Sequence, residues 1–222
     1  MIEPFLNESI IGRAREDGKL EIEIRQLRDW ATDKHHTVDD TPYGGGAGMV
    51  LKVDVIDKAL ADLKTSTSRV ILLTPQGQRF TQTIARNFAR SEHDLILIAG
   101  HYEGFDERVR QLVDQEISIG DFVLTGGELP AAMIVDAIAR LLPGTLGNPD
   151  SATEESFSDS DKLEYPHYTR PDSYQPTSRD LGKLVVPEIL KSGNHGAIAT
   201  WRNERSKQRS TKTDKLANPS GN

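Results

Sequence analysis

Two short apolar runs constrain the fold of this 222-residue chain more than any other feature. The first is Arg69–Leu73 (Arg-Val-Ile-Leu-Leu), and the second is Leu95–Ala99 (Leu-Ile-Leu-Ile-Ala). The stretch between them, Phe80–Arg90, is amphipathic with helical spacing. Strands that are covered on both faces are apolar throughout, and a helix that joins two of them makes them parallel. The sequence therefore predicts an α/β fold built on a parallel sheet.

Four further segments are predicted to form helices or strands. Leu20–Leu27 alternates apolar and charged residues, which predicts a half-exposed strand. Asp121–Leu124 is a third candidate for a buried strand. Helical spacing is present in Val53–Leu63 and in Leu129–Leu142, where Pro130 stands suitably in the first turn.

Glycine-containing loops accompany the three predicted buried strands. They are 74–77 (Thr-Pro-Gln-Gly), 100–104 (Gly-His-Tyr-Glu-Gly) and 118–128, which contains two adjacent glycines. Taken singly, each loop is an ordinary turn. Ligands in open α/β sheets bind beyond the carboxyl ends of the strands, and glycine lets the backbone approach a ligand closely. Together the three loops predict a pocket built largely from main chain.

Composition excludes several kinds of site. The chain has no cysteine, so disulfides and Cys-ligated zinc are excluded. The sequence has neither a G-x-G-x-x-G after the first strand nor a G-x-x-x-x-G-K-[ST], and no spacing typical of a metal site. It also has no apolar run of about 18 residues and no signal-peptide pattern at its start. These features predict a soluble cytoplasmic protein with no metal site and no membrane contact.

Charge is distributed unevenly along the chain. The net charge is −7, yet residues 191–222 carry seven Lys/Arg against two acids, which leaves −12 on the rest. A basic tail beside an acidic body can hold a polyanion locally, although a solvated terminus has the same composition. Ile189–Arg205 is predicted to form one helix, and Ser210–Asn222 is predicted to be disordered.

Several motifs in this sequence closely resemble the bacterial tRNA (guanine-N1)-methyltransferases, which belong to the SPOUT methyltransferases. The likeness extends from about Ile10 to Arg205, in order and with plausible spacing. The motifs are Asp39-Asp40-x-Pro42-Tyr43-Gly44-Gly45-Gly46-x-Gly48-Met49, Tyr102-Glu103-Gly104-x-Asp106-Glu107-Arg108, Ser118-Ile119-Gly120-Asp121, Gly126-Gly127-Glu128-Leu129-Pro130, Pro166-His167-Tyr168-Thr169-Arg170-Pro171 and Leu190-x-Ser192-Gly193-Asn194-His195.

The resemblance implies an α/β SPOUT-type sheet with a C-terminal trefoil knot, followed by a small, mainly helical domain. By this reading residues 1–147 form the methyltransferase domain and residues 148–165 an acidic mobile linker. Residues 166–222 form a tRNA-binding domain with a disordered basic tail. Family members usually begin with an apolar strand before the segment that matches 1–13, so we expect the sheet to lack its first strand. The resemblance also implies a homodimer whose subunits share the active sites.

The resemblance further implies the cofactor and the residues that hold it. S-adenosylmethionine would lie bent in the knot, and the resemblance leaves open whether Mg²⁺ assists. Glu103, Tyr43 and Gly45 are predicted to contact the target guanine and its tRNA. The predicted cofactor-binding residues are Pro75, Gly100, Tyr102, Ile119, Gly120, Asp121, Phe122, Val123, Leu124, Gly126 and Gly127.

The expected product is N1-methylguanosine just 3′ of the anticodon, at position 37 of tRNA. Guanine N1 carries a proton, so a base must remove it as the methyl group arrives. Negative charge then builds on O6, where a cation lowers the barrier. By motif, Glu155 is the predicted base and Arg140 the predicted O6-side cation. The family usually has Asp at the position of Glu155, and the neighbouring Glu154 is an alternative base.

Three other readings stay open from the sequence. A SPOUT enzyme that methylates a different RNA nucleotide would have the same fold and cofactor. A non-catalytic RNA-binding relative is disfavoured by the intact glycine loops and by Arg140. A nucleotide-binding metabolic enzyme is disfavoured by the basic tail and the missing phosphate motifs.

Overall fold

The computed structural model describes residues 2–147, 155–157 and 162–217, the last six by their backbone only. Contacts between Cα atoms divide the chain into two compact units, Met1–Pro149 and Asp150–Asn222. Within the described residues, no helix has the length and the hydropathy that crossing a membrane requires.

The first unit is organised around a three-stranded parallel sheet. Its strands are β3 (Ser68–Arg79), β4 (Asp94–Ala99) and β5 (Gln115–Ser118), in the order β4-β3-β5. β3 therefore lies in the centre and pairs in parallel with both neighbours. Both apolar runs form strands of this sheet, so the predicted α/β fold is confirmed.

Both faces of the sheet are covered. Successive side chains of a strand point to opposite sides, so β3 contributes side chains to a core cluster on each face. Val70 and Leu72 of β3 belong to the core cluster shared with the helix α3 (Val53–Leu63). Ile71 and Leu73 belong to a second cluster on the other face, shared with two more helices. All four side chains are buried, which accounts for the absence of polar residues from positions 70–73.

The two helices on the second face are α4 (Gln82–Arg90) and α5 (Glu128–Ala139). α4 begins after Thr81, whose hydroxyl accepts a hydrogen bond from the backbone N–H of Ile84 at 3.4 Å. α5 is apolar on most sides, as expected for a helix that contacts both the sheet and its neighbours. These helices and α3 agree with the sequence prediction to within three residues at each end.

The start of the chain forms two short helices, α1 (Glu3–Asn7) and α2 (Ser9–Glu16), which pack on α5. The prediction of a strand at Leu20–Leu27 is wrong. Leu20 and Ile22 do pack against the small core formed by these helices, which explains the alternation. No strand in the described residues pairs with Leu20–Leu27, and this segment is irregular up to the 3-10 turn Leu27–Trp30.

The third strand of the sheet is also not where the sequence predicted it. Asp121–Leu124 is an irregular loop, and β5 lies a few residues earlier. The polar side chains of Gln115 and Glu116 make β5 unlike a buried strand in sequence. Both residues lie on β5, at one end of the strand order β4-β3-β5, where the Gln115 amide donates to Gln78 and Glu116 pairs with Arg110.

A small antiparallel ladder lies beside the sheet. It pairs β1 (Asp39–Asp40) with β2 (Val50–Leu51), and the glycine-rich loop lies between them. Leu51 also forms a parallel bridge to Phe105, in the loop that follows β4. This bridge brings the glycine-rich loop next to one of the predicted pocket loops.

The second unit contains a two-stranded ladder, β6 (Ser173–Tyr174) with β7 (Leu184–Val185), and a long helix, α6 (His195–Ala217). The prediction of one helix over Ile189–Arg205 is wrong at its start. A 3-10 turn at Glu188–Lys191 ends before Gly193, whose φ of 70° interrupts the helical path. α6 continues to Ala217, into the segment that the sequence predicted to be disordered. Most of the predicted linker 148–165 lies outside the described residues.

Candidate functional site

The three glycine loops of the first unit meet at one edge of the parallel sheet, two of them at the carboxyl ends of β4 and β5. They line a pocket of about 370 Å³, which is within the usual range for small-molecule sites of about 300–1,000 Å³. The lining comes from residues 72–76, 100–107, 110, 117–120 and 122–127 and from Pro130 in the first turn of α5. The predicted pocket is therefore present at the predicted edge of the sheet.

The first loop is a bulge within β3 rather than the end of that strand. Leu73 and Gln78 both pair with Ile117 of β5, so the four residues 74–77 are displaced from the ladder. Gly77 allows the bulge to lie against β5, because a Cβ at this position would be 2.4 Å from the Ile117 nitrogen. The bulge places Thr74, Pro75 and Gln76 on the pocket wall.

The second loop follows β4 and holds a tyrosine in an unusual conformation. Tyr102 has a φ of 59°, and left-handed backbone is rare for a bulky side chain. Its ring is half exposed and lines the pocket. The His101 ring packs against it in a T-shaped arrangement, with 5.0 Å between the ring centroids and 76° between the planes. Strained residues of this kind cluster at ligand sites.

The third loop follows β5 and presents apolar side chains around the pocket. Phe122, Val123 and Leu124 all line it, and all three are exposed, with Val123 89% exposed. The hydroxyl of Ser118 accepts a hydrogen bond from the Gly120 N–H at 3.2 Å and donates one to the Gly120 carbonyl at 3.1 Å. These bonds fix the turn at the start of the loop. The loop can supply backbone groups and an apolar cover to a ligand.

The second and third loops touch through their backbones. The N–H of Gly127 donates a hydrogen bond to the Gly100 carbonyl at 2.7 Å. A Cβ on Gly127 would be 2.6 Å from the Gly100 nitrogen, so only glycine fits without separating the loops. His101 and Gly126 form an antiparallel bridge beside this contact.

The glycine-rich loop 42–48 lies at the rim of this arrangement. The N–H of Glu103 donates to the carbonyl of Met49 at 3.1 Å, which ties the second pocket loop to the end of the glycine-rich loop. Tyr43 is fully exposed near the start of the loop. Nothing within 4 Å would contact a Cβ at Gly44 or Gly45. Tyr43 therefore lies on a loop segment that is exposed to solvent.

Most charges around the pocket are paired with one another. Hydrogen bonds from the Arg108 side chain hold the pKa of Asp106 down to about 2. Arg110 contacts Glu107 at 3.0 Å and Glu116 at 2.8 Å. Glu103 is different, since its carboxylate forms no ion pair within the part of the chain that the structure describes. It is thus available to a ligand at the pocket rim.

Comparison with known proteins identifies the family. The profile of the family described as tRNA (guanine-1)-methyltransferase TrmD matches residues 1–217. The chain belongs to this family. It is 55% identical over 202 residues to the tRNA (guanine-N(1)-)-methyltransferase of Carboxydothermus hydrogenoformans, covering 90% of this chain and 76% of that protein. It is 52% identical over 213 residues to that of Bacillus subtilis, covering 94% and 84%. The resemblance found in the sequence motifs is confirmed.

The pocket contains most of the residues that the tRNA (guanine-1)-methyltransferase motifs assign to the cofactor. Among the eleven assigned positions only Asp121 is absent from its lining, and its carboxylate instead pairs with Arg79 at 3.4 Å. Glu103 is part of the lining, and Tyr43 and Gly45 lie on the glycine-rich loop outside it. The structure adds Phe105 and Arg110, which the sequence reasoning missed. The only sequence signal for Arg110 is that it lies three residues after Glu107, with which it forms an ion pair.

The two predicted catalytic residues lie elsewhere in the chain. Arg140 follows the last residue of α5, where its N–H donates to the Asp136 carbonyl at 3.3 Å. α5 begins at the pocket and has 12 residues, so at 1.5 Å per residue Arg140 lies about 18 Å along the helix from the pocket. Glu155 belongs to the second unit. No group of three or more His, Asp or Glu side chains in the described ranges could hold a metal ion.

Proposed function

We propose that this chain methylates N1 of the guanosine at position 37 of cytoplasmic tRNA, with S-adenosylmethionine as the methyl donor. The observation that carries the proposal is a pocket lined by the family's glycine loops in a chain that belongs to the tRNA (guanine-1)-methyltransferase family. When bound, the cofactor supplies a methyl group on a positively charged sulfur.

The pocket fits such a cofactor in size and in the nature of its walls. Its volume of about 370 Å³ suits one small molecule. The backbones of Gly100, Gly126 and Gly127 can face the ligand closely, while Phe122 and Leu124 offer apolar surface to an adenine ring. The unpaired carboxylate of Glu103 favours a cationic ligand or a guanine N–H at the rim.

Proton removal from guanine N1 is assigned to Glu155. A carboxylate near the N1 proton takes it as the methyl group arrives, and the charge that develops on O6 is stabilised by the Arg140 guanidinium. Tyr43 on the open glycine-rich loop supports a stacking contact to the tRNA, because an exposed aromatic ring can stack on an unpaired base.

The position of Arg140 supports a homodimer with shared active sites. Because Arg140 lies about 18 Å along α5 from the pocket of its own subunit, it reaches a guanine in the pocket of a second subunit more readily. The exposed side chains of Leu129 and Met133 on α5 and of Phe5 on α1 give the first unit an apolar surface for such a contact. The backbone contact between Gly127 and Gly100 supports a trefoil knot, because it places the chain after β5 across the loop after β4.

The second unit supports tRNA binding through paired cationic and aromatic groups. On α6 the guanidinium of Arg202 lies 4.6 Å from the Tyr165 ring centroid, and that of Arg205 lies 5.5 Å from the Trp201 ring centroid. Arginines beside aromatic rings are suited to phosphates and to stacked bases.

The activity is tested with purified protein, S-adenosylmethionine labelled in its methyl group, and unmodified tRNA that carries the guanosine. We expect label in N1-methylguanine after nuclease digestion, and no label when that guanosine is replaced by adenosine. Label in another nucleotide would indicate a different RNA substrate. Cofactor binding without transfer would indicate a non-catalytic relative.

Matched variants test the assignment of the base. Glu155→Gln removes the proton acceptor, so turnover should fall at least about a hundredfold while cofactor affinity is kept. Glu154→Gln, at the adjacent position in the sequence, serves as the control and should retain turnover. If Glu154→Gln loses turnover and Glu155→Gln does not, Glu154 is the base.

A further inference from the structure

A histidine and a glutamate face each other across two of the pocket loops. His101 belongs to the loop after β4, and Glu128 is the first residue of α5, directly after the loop that follows β5. His101 Nδ1 lies 3.8 Å from Glu128 Oε1. The pair thus adds a side-chain contact between two loops whose backbones meet at Gly100 and Gly127 and at His101 and Gly126.

The distance between the two groups is too long for a hydrogen bond. Hydrogen bonds between nitrogen and oxygen have lengths of about 2.7–3.2 Å. His101 Nδ1 is shielded from solvent and has no hydrogen-bond partner among the described residues. A buried polar atom without a partner is unfavourable, so a movement that brings Glu128 closer is favourable. Hydrogen bonds at active sites are often long without ligand and shorten when one binds.

The two side chains enclose the backbone of Gly126. A Cβ at this position would be 2.2 Å from Glu128 Oε2 and 2.7 Å from His101 Nδ1. Both of these atoms are at the ends of side chains that can move. A methyl group at position 126 would therefore push the histidine and the glutamate apart, with the backbone left in place.

The histidine also determines where a pocket tyrosine lies. The His101 and Tyr102 rings form a T-shaped pair, and Tyr102 has left-handed backbone that is kept only where surrounding groups enforce it. Fixing His101 through Glu128 therefore fixes Tyr102 on the pocket wall.

We propose that His101 and Glu128 form a clasp that closes when the cofactor binds and that positions Tyr102 and Gly126 around it. Closing brings Nδ1–H of the imidazole into hydrogen-bonding distance of the carboxylate. Both members are positioning residues, and the clasp contributes to cofactor affinity rather than to the methyl-transfer step. The inference rests on the proposed function, because it takes S-adenosylmethionine as the ligand of the pocket.

The test is a double-mutant cycle on the dissociation constant for S-adenosylmethionine, measured by calorimetry with the full chain. We expect His101→Ala and Glu128→Ala each to raise the dissociation constant about tenfold, because each removes a hydrogen bond to a charged group. The double variant should bind no more weakly than the single ones. Gly126→Ala should weaken binding similarly by opening the clasp. In steady-state assays the substitutions should raise KM for S-adenosylmethionine by a larger factor than they lower kcat, whereas a general structural defect would lower kcat as well.

The control is His35→Ala, since His35 is exposed and lies outside the pocket. Thermal unfolding of every variant separates loss of affinity from loss of folded protein. Additive effects of the two alanine substitutions, or unchanged affinity in both, would refute the clasp and leave the proposed function standing. A wild-type protein that does not bind S-adenosylmethionine would refute the proposed function and the clasp with it.

Discussion

Alanine at position 127 tests how closely the two pocket loops must approach. The Cβ would lie 2.6 Å from the Gly100 nitrogen and 2.8 Å from Ala99 Cα, whereas ordinary Cβ contacts begin at 3.4 Å. Both neighbours are backbone atoms, so no side chain can rotate away. Gly127 has a φ of −83°, which alanine also adopts, so the effect is a purely steric one.

The expected decrease in the free energy of unfolding of Gly127→Ala has two parts. Separating the loops weakens the hydrogen bond from the Gly127 N–H to the Gly100 carbonyl, a loss of about 1 kcal/mol. Overpacking adds about 1–3 kcal/mol. We expect the free energy of unfolding to fall by about 2–4 kcal/mol, which lowers Tm by about 4–16 °C for a unit of this size. Because the pocket walls separate, the dissociation constant for S-adenosylmethionine should rise at least about tenfold.

Urea unfolding and calorimetric titration measure the two effects. Gly147→Ala is the matched control, since nothing lies within 4 Å of a Cβ at that position. It should change the free energy of unfolding by less than about 0.5 kcal/mol. If Gly127→Ala unfolds and binds the cofactor as Gly147→Ala does, the two loops do not need their close contact.

Three further substitutions test the fold and its charges. Thr81→Ala removes the side-chain cap of α4 and should lower the free energy of unfolding by about 1 kcal/mol, measured by urea unfolding. Ile134→Ala leaves a cavity at a side chain that is 0% exposed and should lower it by about 2–5 kcal/mol, while the exposed Ile24→Ala should have a far smaller effect. Hydrogen bonds from Arg108 hold the pKa of Asp106 at about 2, below its ordinary 3.8, so the ionised carboxylate stabilises the folded state. This contribution is fully present above pH 3.8 and disappears as the pH falls to about 2. The difference in the free energy of unfolding between the wild type and Asp106→Asn should therefore become smaller over that interval. A difference that stays constant with pH would contradict this prediction.

The sequence predicted those parts of the fold in which burial determines the residue type. β3 and β4 are apolar because both faces of the sheet are covered, and α3 and α4 have the spacing of one-sided burial. Leu20–Leu27 has equally clear alternation, yet alternation reports only which side is buried. Whether a partner strand exists depends on residues far away in the sequence, and a local pattern carries no information about them.

The candidate site could likewise be predicted where local geometry determines the residue type. Glycines mark the pocket loops because backbone must approach backbone there, as at Gly77 and Gly127, and the sequence displays this directly. The clasp between His101 and Glu128 left no such signal. Its two members are 27 positions apart, and the backbone contacts of His101 with Gly126 and of Gly100 with Gly127 bring them together.

The central place of β3 in the sheet has a consequence for how the molecule reaches its folded state. Val70 donates its N–H to the Asp114 carboxylate, a partner 44 residues further along the chain, and β5 pairs with β3 immediately beyond. Contacts between such distant residues require a large loop to close before any pairing is gained, so they form slowly. Since β5 must be in place before the chain beyond it can lie against Gly100, the ligand pocket is completed late in folding. A newly made chain would then form β3 and β4, with α4 between them, before its pocket could bind a ligand.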